Sequence, residues 1–255
     1  MTDEIRFTDS AGYIEIAIAR PAKKNALTSQ MYHAMIAALA EAMAREDIAC
    51  VLFTGSGDAF CAGNDLGDFV QGPEGAAAAM AFIRALAAFD KPLVAAVQGM
   101  AVGIGTTMLL HCDLVYAAPD ARFAMPFVKL GLVPEAGSSL LAPALLGRAK
   151  AAAMLLLGET IGADEAERAG LVSAIVPGES LHEHARAKVA ILANLPRAAL
   201  LATRRLLRPS ASALEGRIAE ESALFAEALQ SPEAQAAFAA FAARSEPPLA
   251  KEQLT

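Results

Sequence analysis

The chain has 255 residues, a formal net charge of −7, and 55% hydrophobic residues with few aromatics and no Trp. That length suits one large domain, or a domain with a terminal appendage, around an Ala/Leu/Val-packed and mostly helical core. The acidic balance argues against non-specific nucleic-acid binding, which needs clustered Lys and Arg. Three cysteines (Cys50, Cys61, Cys112) in apolar surroundings without CxxC spacing predict reduced thiols and no metal cluster.

The opening MTDEIRFTDS has neither a basic n-region nor an apolar h-region, and PPLAKEQLT is a short polar stretch without a recognised targeting signal. A soluble, cytoplasmic protein is expected. Ile14 to Ile18 alternates at period two, which predicts a half-buried strand after a turn at Ser10-Ala11-Gly12. Arg20 to Asn25 reads as a loop, and Thr28 caps a helix running to about Arg45. Ile48 to Phe53 is a nearly continuous apolar run, as in a strand covered on both faces. After Gly55 to Asp58 turns the chain and Gly72-Pro73 breaks it, a helix is expected from about Gly75 to Phe89.

Pro92 to Leu110 contains no charged residue and is punctuated by Gly99, Gly103 and Gly105. An apolar run of this length is first tested as a membrane span. The glycines, Gln98 and Thr106-Thr107 favour a buried strand from Leu93 to Val97, a Gly turn, and a buried helix starting near Ile104. Such a start aims unpaired N–H groups and the positive end of a helix dipole into the interior, where an anion or a developing oxyanion would be stabilised.

Further on, Asp113 to Ala117 and Arg122 to Met125 read as short strands, and Gly131 to Ser139 as a Gly-rich turn into a helix. Leu171 to Val176 looks like a last strand. Everything after Pro177 reads as helix, most clearly Ala198 to Arg208, Ala213 to Leu229 and Pro232 to Ala243. Strands alternating with helices before residue 125 argue for an α/β sheet with parallel pairs.

Four segments in this order, RPAKKNAL (20–27), AFCAGNDL (59–66), VQGMAVGIGTTMLLHCDLVYA (97–117) and GLVPEAGSS (131–139), resemble the crotonase superfamily, the enoyl-CoA hydratase/isomerase family. With SPEAQAAFAAF (231–241), the resemblance spans essentially the whole chain. It implies an α/β fold with a ββα-spiral core in two roughly perpendicular sheets (residues 1–195) and a helical C-terminal trimerisation region (196–255), assembled as a trimer or a pair of trimers. It implies an acyl-CoA thioester as partner, coenzyme A being part of the substrate and no separate cofactor or metal being required. Two backbone N–H groups that hold the enolate oxygen map onto Asn64 and Ile104, beside Gly63 and Gly103. The adenine pocket maps onto Ala62, Gly63, Asp65 and Leu66. Lys24, with Lys23 or Arg20, falls where a basic residue meets the 3′-phosphate; a solvated loop lysine is the alternative.

The resemblance also bears on the reaction. The two glutamates of the family's hydratases fall at Thr107 and Phe127, neither of which can act as an acid or base near neutral pH. Glu135, in VPEAGSS, resembles the single glutamate of peroxisomal-type Δ3,Δ2-enoyl-CoA isomerases, which can remove a proton from C2 and return it at C4. In an apolar pocket its pKa should rise. The alternative for Glu135 is a first-turn carboxylate answering a helix dipole. A hydratase or another enolate-forming crotonase, and a catalytically silent CoA-binding protein, stand as rival functions; RNA binding is disfavoured by the charge.

Other residues have simpler readings. Asp65 should bond backbone N–H groups in its own turn, and Asp68 should mark a solvated helix end. His111 should be a satisfied core histidine, while His33, His182 and His184 have no triad or metal spacing. Cys61 reads as a pocket-wall residue, Ser138-Ser139 as an N-terminal cap, and Phe238 with Phe241 as core or subunit interface.

Overall fold

The computed structural model describes residues 3–70 and 73–245. Gly72 and the polar stretch PPLAKEQLT lie outside the described residues, as does the side chain of Phe241. In chain order the elements are β1 (Ile5–Ser10), β2 (Tyr13–Ile18), α1 (Ser29–Ala44), β3 (Cys50–Gly55), α2 (Leu66–Val70), α3 (Pro73–Ala88), β4 (Leu93–Val97), β5 (Met100–Val102) and α4 (Ile104–Thr107). There follow β6 (Leu114–Ala117), β7 (Arg122–Ala124), α5 (Ser138–Leu146), α6 (Arg148–Leu156), β8 (Thr160–Gly162), α7 (Ala163–Ala169) and β9 (Ala174–Ile175). Among the described residues four helices follow: α8 (Leu181–Ala193), α9 (Arg197–Leu207), α10 (Ala211–Leu229) and α11 (Pro232–Ser245).

Two sheets form, one in the order β1-β2-β3-β4-β6-β9 and one in the order β5-β7-β8. In the larger sheet only β1 and β2 pair antiparallel; β2 to β9 pair in parallel. Its central strands β3 and β4 are buried on both faces. Val51 and Phe53 join the main core with Met31, Met35 and Phe82, whereas Cys50 and Leu52 pack with Leu181, Ala185 and Val189 of α8.

That second cover corrects the half-buried reading of Ile14 to Ile18. Glu15 is 6% exposed, and its carboxylate accepts from Arg186 Nε and Nη2 of α8 at 2.8 and 3.0 Å. The period-two alternation signalled a polar face, but an ion pair lets a helix cover it. Three strands lie outside the expected elements: β1, with its mostly exposed residues, and β5 and β8, too short for periodicity to register. The Gly turn after β4 leads directly into β5 of the smaller sheet, before the helix at Ile104 begins.

Arg204 of α9, 5% exposed, joins the helical C-terminal region to the sheet core. Its Nε donates to Asp113 Oδ2 at 2.7 Å and its Nη1 to the Phe89 carbonyl at 2.8 Å. No helix among the described residues is long and apolar enough to cross a membrane.

Candidate active site

The site is built from the four motif segments, and the first acts as a brace for the second. Lys24 and Asn25 take left-handed backbone conformations (φ 50° and 59°). The Asn25 side chain, fully buried, donates to the carbonyls of Ser56 and Ala59 at 2.9 and 2.7 Å, while its Oδ1 accepts from the Arg20 N–H at 2.8 Å. The brace continues along the backbone. The Ala62 N–H donates to the Lys24 carbonyl, the Leu27 N–H to the Gly63 carbonyl, and the Asp65 N–H to the Leu27 carbonyl, at 2.8 to 3.0 Å. The Val102 N–H bonds the Cys61 carbonyl at 2.9 Å, joining this loop to β5.

Two glycines then turn the backbone where a side chain would be strained. Gly63 has φ +98° and Gly103 has φ +56°. Each is followed by an N–H, of Asn64 and Ile104, that meets no acceptor among the described residues. The Tyr32 hydroxyl donates to Asn64 Oδ1, fixing that side chain. A cavity of about 200 Å³ is lined by Ala62, Gly63, Asn64, Leu66, Gly103 and Ile104. The rest of its lining is apolar apart from Lys129, and includes Phe127, Phe225 and Phe238.

The helix at Ile104 is one turn long and passes into a 3-10 turn at Met108–His111. A macrodipole summed over so few peptides is small, so the two free N–H groups, more than a dipole, supply the positive end of the site.

Glu135 is 5% exposed and accepts a hydrogen bond from the Thr107 hydroxyl. Burial pushes its carboxyl up to about 8, the Thr107 bond opposes this, and the negative charge of Glu221 adds to it. Glu135 does not itself line the cavity. It is bonded through Thr107 to the helix turn whose first residue, Ile104, does line it. Nor does it cap α5: that helix is entered through Gly137, and its N–H groups at Gly137 and Ser139 are taken by the Glu221 carboxylate of α10, at 2.6 and 2.9 Å. Neither Ser138 nor Ser139 serves as the cap, because Glu221 reaches those N–H groups with both of its oxygens.

The sequence profile described as Enoyl-CoA hydratase/isomerase matches residues 8–252. The chain belongs to the enoyl-CoA hydratase/isomerase family. Its two-sheet α/β architecture is the crotonase fold, and a solved enoyl-CoA hydratase/isomerase from Pseudoalteromonas atlantica T6c shares it with a TM-score of 0.91 and 36% identity, covering 97% of this chain and 100% of that one. Among curated relatives, enoyl-CoA delta isomerase 2 of Rattus norvegicus is 39% identical over 212 residues, 80% of this chain and 54% of that protein. This chain therefore spans about half the length of that relative. A probable enoyl-CoA hydratase of Rhodobacter capsulatus is 37% identical over 247 residues, 89% of this chain and 93% of that protein.

Within this family frame, several residues stand elsewhere than expected. Lys24 is exposed and pairs with Asp58; its ammonium does not line the cavity. Arg20 is engaged by Glu4 and Asp65 at 2.9 and 2.6 Å. Asp65 also lies off the cavity, accepting from the Asp68 N–H at 3.2 Å. Burial pushes its carboxyl up, but Arg20 and the N–H bonds outweigh that and hold it below its ordinary value. Asp68 is not a solvated helix end: its Oδ2 accepts from the Ser29 N–H and Oγ, at 2.8 and 2.6 Å, at the start of α1. Cys61 is fully buried and off the cavity lining, and burial raises its thiol to about 12, so it is no nucleophile at neutral pH.

Lys129 and Phe225 were not anticipated as cavity residues. Phe225 sits within a helix read as part of the trimerisation region, and no short-range signal distinguishes a core phenylalanine from one facing a cavity.

Proposed function

We propose that this crotonase-fold protein is an acyl-CoA enzyme that shifts a double bond, a Δ3,Δ2-enoyl-CoA isomerase with Glu135 as its single base. The observation that carries the reading is the division of labour between two buried carboxylates. Glu221 neutralises the start of α5, leaving Glu135 bonded to a hydroxyl and free of any helix-capping duty. With Thr107 and Phe127 at the two positions where the family's hydratases carry glutamates, and with Asp65 and Asp113 in ion pairs with Arg20 and Arg204, Glu135 is the motif carboxyl left for proton transfer.

In this mechanism the thioester carbonyl oxygen sits between the N–H groups of Asn64 and Ile104, each worth about 3 kcal/mol to an enolate-like transition state. Ionised Glu135 takes the proton from C2, the electron pair delocalises into the carbonyl oxygen on one side of C2 and over C3 and C4 on the other, and the same carboxyl returns the proton at C4, leaving the double bond between C2 and C3. No atom is gained or lost, so one carboxylate suffices. A carboxyl raised toward neutral pH suits both the removal and the return. In the same reading Lys24 exchanges its Asp58 partner for the 3′-phosphate of CoA, at small cost because the pair is exposed. The helical region after residue 195 assembles copies into a trimer or pair of trimers, a role supported by Leu206 and Leu207 of α9, 83% and 80% exposed.

The test is a parallel turnover assay on 3-enoyl-CoA and 2-enoyl-CoA, followed by ultraviolet absorbance of the conjugated thioester and by product mass. Conjugation gained from the 3-enoyl substrate at unchanged mass is expected. Water added to the 2-enoyl substrate without isomerisation would replace this reading with a hydratase, and acyl-CoA binding without turnover would replace it with a silent binder.

A further inference from the structure

Two buried titratable groups have no part in the chemistry above, and both converge on a single peptide. His111, 2% exposed, donates from Nε2 to the Ala136 carbonyl at 2.7 Å. The carbonyl can only accept, so the proton is on Nε2, and Nδ1 is left bare with no partner among the described residues. Burial pushes the imidazole down to about 4, which keeps it neutral. Glu221, 5% exposed, accepts from the Gly137 N–H at 2.6 Å. The Ala136 carbonyl and the Gly137 N–H are the two poles of one peptide group, the second after Glu135.

That peptide needs holding. Ala136 has φ +61° and Gly137 φ +70°, so two consecutive residues are left-handed and the first carries a Cβ. A free peptide here would relax by turning over, and the Glu135 side chain would move with it.

We propose that His111 and Glu221 are positioning residues that clamp the Ala136–Gly137 peptide and thereby aim the Glu135 carboxyl; the catalytic part of this inference rests on Glu135 being the base. The geometry extends the idea. Ile104, Thr107 and His111 lie on one continuous helical segment, α4 and the 3-10 turn after it. Its first residue offers a free N–H to the cavity, its fourth holds the Glu135 carboxyl, and its eighth holds the peptide behind Glu135. One rigid segment therefore sets the distance between oxyanion donor and base, and Glu221 completes the clamp from α10 of the helical C-terminal region.

Three variants test it: His111→Leu, His111→Gln and Glu221→Gln. Each is read by steady-state kinetics on 3-enoyl-CoA and by 13C-carboxyl NMR titration of Glu135, assigned by its loss in Glu135→Gln. Leu removes the donor, whereas Gln returns an N–H near the Nε2 position. His111→Leu should lower kcat by about 100-fold, the cost of misplacing a reacting group by about 1 Å, at unchanged KM. His111→Gln should restore most of that loss. The titratable groups facing Glu135 are Tyr32 of α1 and Glu221 of α10, with His111 on the adjoining peptide. Removing the Glu221 charge should therefore move the Glu135 titration, and the acid limb of kcat with it, to lower pH. If His111→Leu does not fold, Glu221→Gln and His111→Gln decide by the same two measurements. Titration and kcat unchanged in Glu221→Gln, or His111→Gln no better than His111→Leu, would overturn the clamp. A wild type that turns over no 3-enoyl-CoA, yet whose Glu135 titration responds to these substitutions, would sink the isomerase reading and leave the clamp standing.

Discussion

The Thr107 hydroxyl donates to Glu135 Oε1, and Thr107 lies three residues beyond Ile104 on the same helix turn. A donor to the ionised carboxyl favours that form, so the bond counteracts part of the upward push from burial. Thr107→Val keeps the shape and removes the donor. The Glu135 carboxyl should then titrate still higher, the acid limb of kcat should move to higher pH, and turnover at neutral pH should fall about tenfold or more. A pH–rate profile on 3-enoyl-CoA reads this directly, and Thr107→Ser should retain the wild-type limb.

The same carboxyl makes a prediction about stability. Its folded value, about 8, lies above the ordinary value of 4.5. Between the two, the folded state holds a proton that the unfolded state has released. This contribution to stability is therefore full below the unfolded value and is lost as pH rises through the folded one, by about 1.4 kcal/mol per pH unit. Glu135→Gln removes the titration: its melting temperature should be flatter than the wild type's across that window and higher at its alkaline end. Turnover should be abolished while acyl-CoA binding persists. Parallel melting curves from pH 4 to 9 would refute the assignment.

How much of this was legible beforehand varies with distance along the chain. The central strand Leu93–Val97, the helix start at Ile104 and the long helices lie close to their expected bounds, because apolar runs, caps and glycines act over a few residues. The paired roles of Glu135 and Glu221 were not legible. They depend on α10 crossing the start of α5, a contact between residues 82 and 84 positions apart. Serines at a helix start look like caps in sequence, and only the fold reveals a carboxylate from another helix already there. Asp68 was misread for the same reason: its partner, Ser29, lies 39 positions away.

Asn25 is a structural residue in a motif that the family resemblance ties to CoA binding through Lys24. It is fully buried and joined to three backbone groups. Asn25→Ala would leave two carbonyls and one N–H without those partners, and should destabilise the fold by about 3 kcal/mol. Chemical denaturation measures this; a loss under 1 kcal/mol would mean the loop is held by its backbone bonds alone.

For Lys24 the expected effect is on binding. Both members of its pair with Asp58 are exposed, so Lys24→Ala should leave stability nearly unchanged. KM for CoA thioesters should rise several-fold with kcat unaltered, and raising the ionic strength should weaken wild-type binding more than the variant's. Equal salt dependence in both would remove Lys24 from the phosphate site.

Leu206 and Leu207, both strongly exposed near the end of α9, predict an interface. Leu206→Glu should lower the mass seen by light scattering from that of a trimer or larger assembly to that of a monomer. A wild-type protein that is already monomeric would overturn the assembly proposal.

The free N–H groups at Asn64 and Ile104 belong to the main chain, which every residue except proline supplies. Saturation mutagenesis should accordingly find those two positions closed to proline, while side chains that keep the packing at Ile104 and the Tyr32 bond at Asn64 retain function. Gly103 should be intolerant although a Cβ there would meet nothing within 4 Å, because its backbone angle, not its space, excludes other residues. Heritable change can thus alter the lining and the acid–base set while the carbonyl-gripping geometry persists, so one scaffold can pass between reactions without first losing its hold on the thioester.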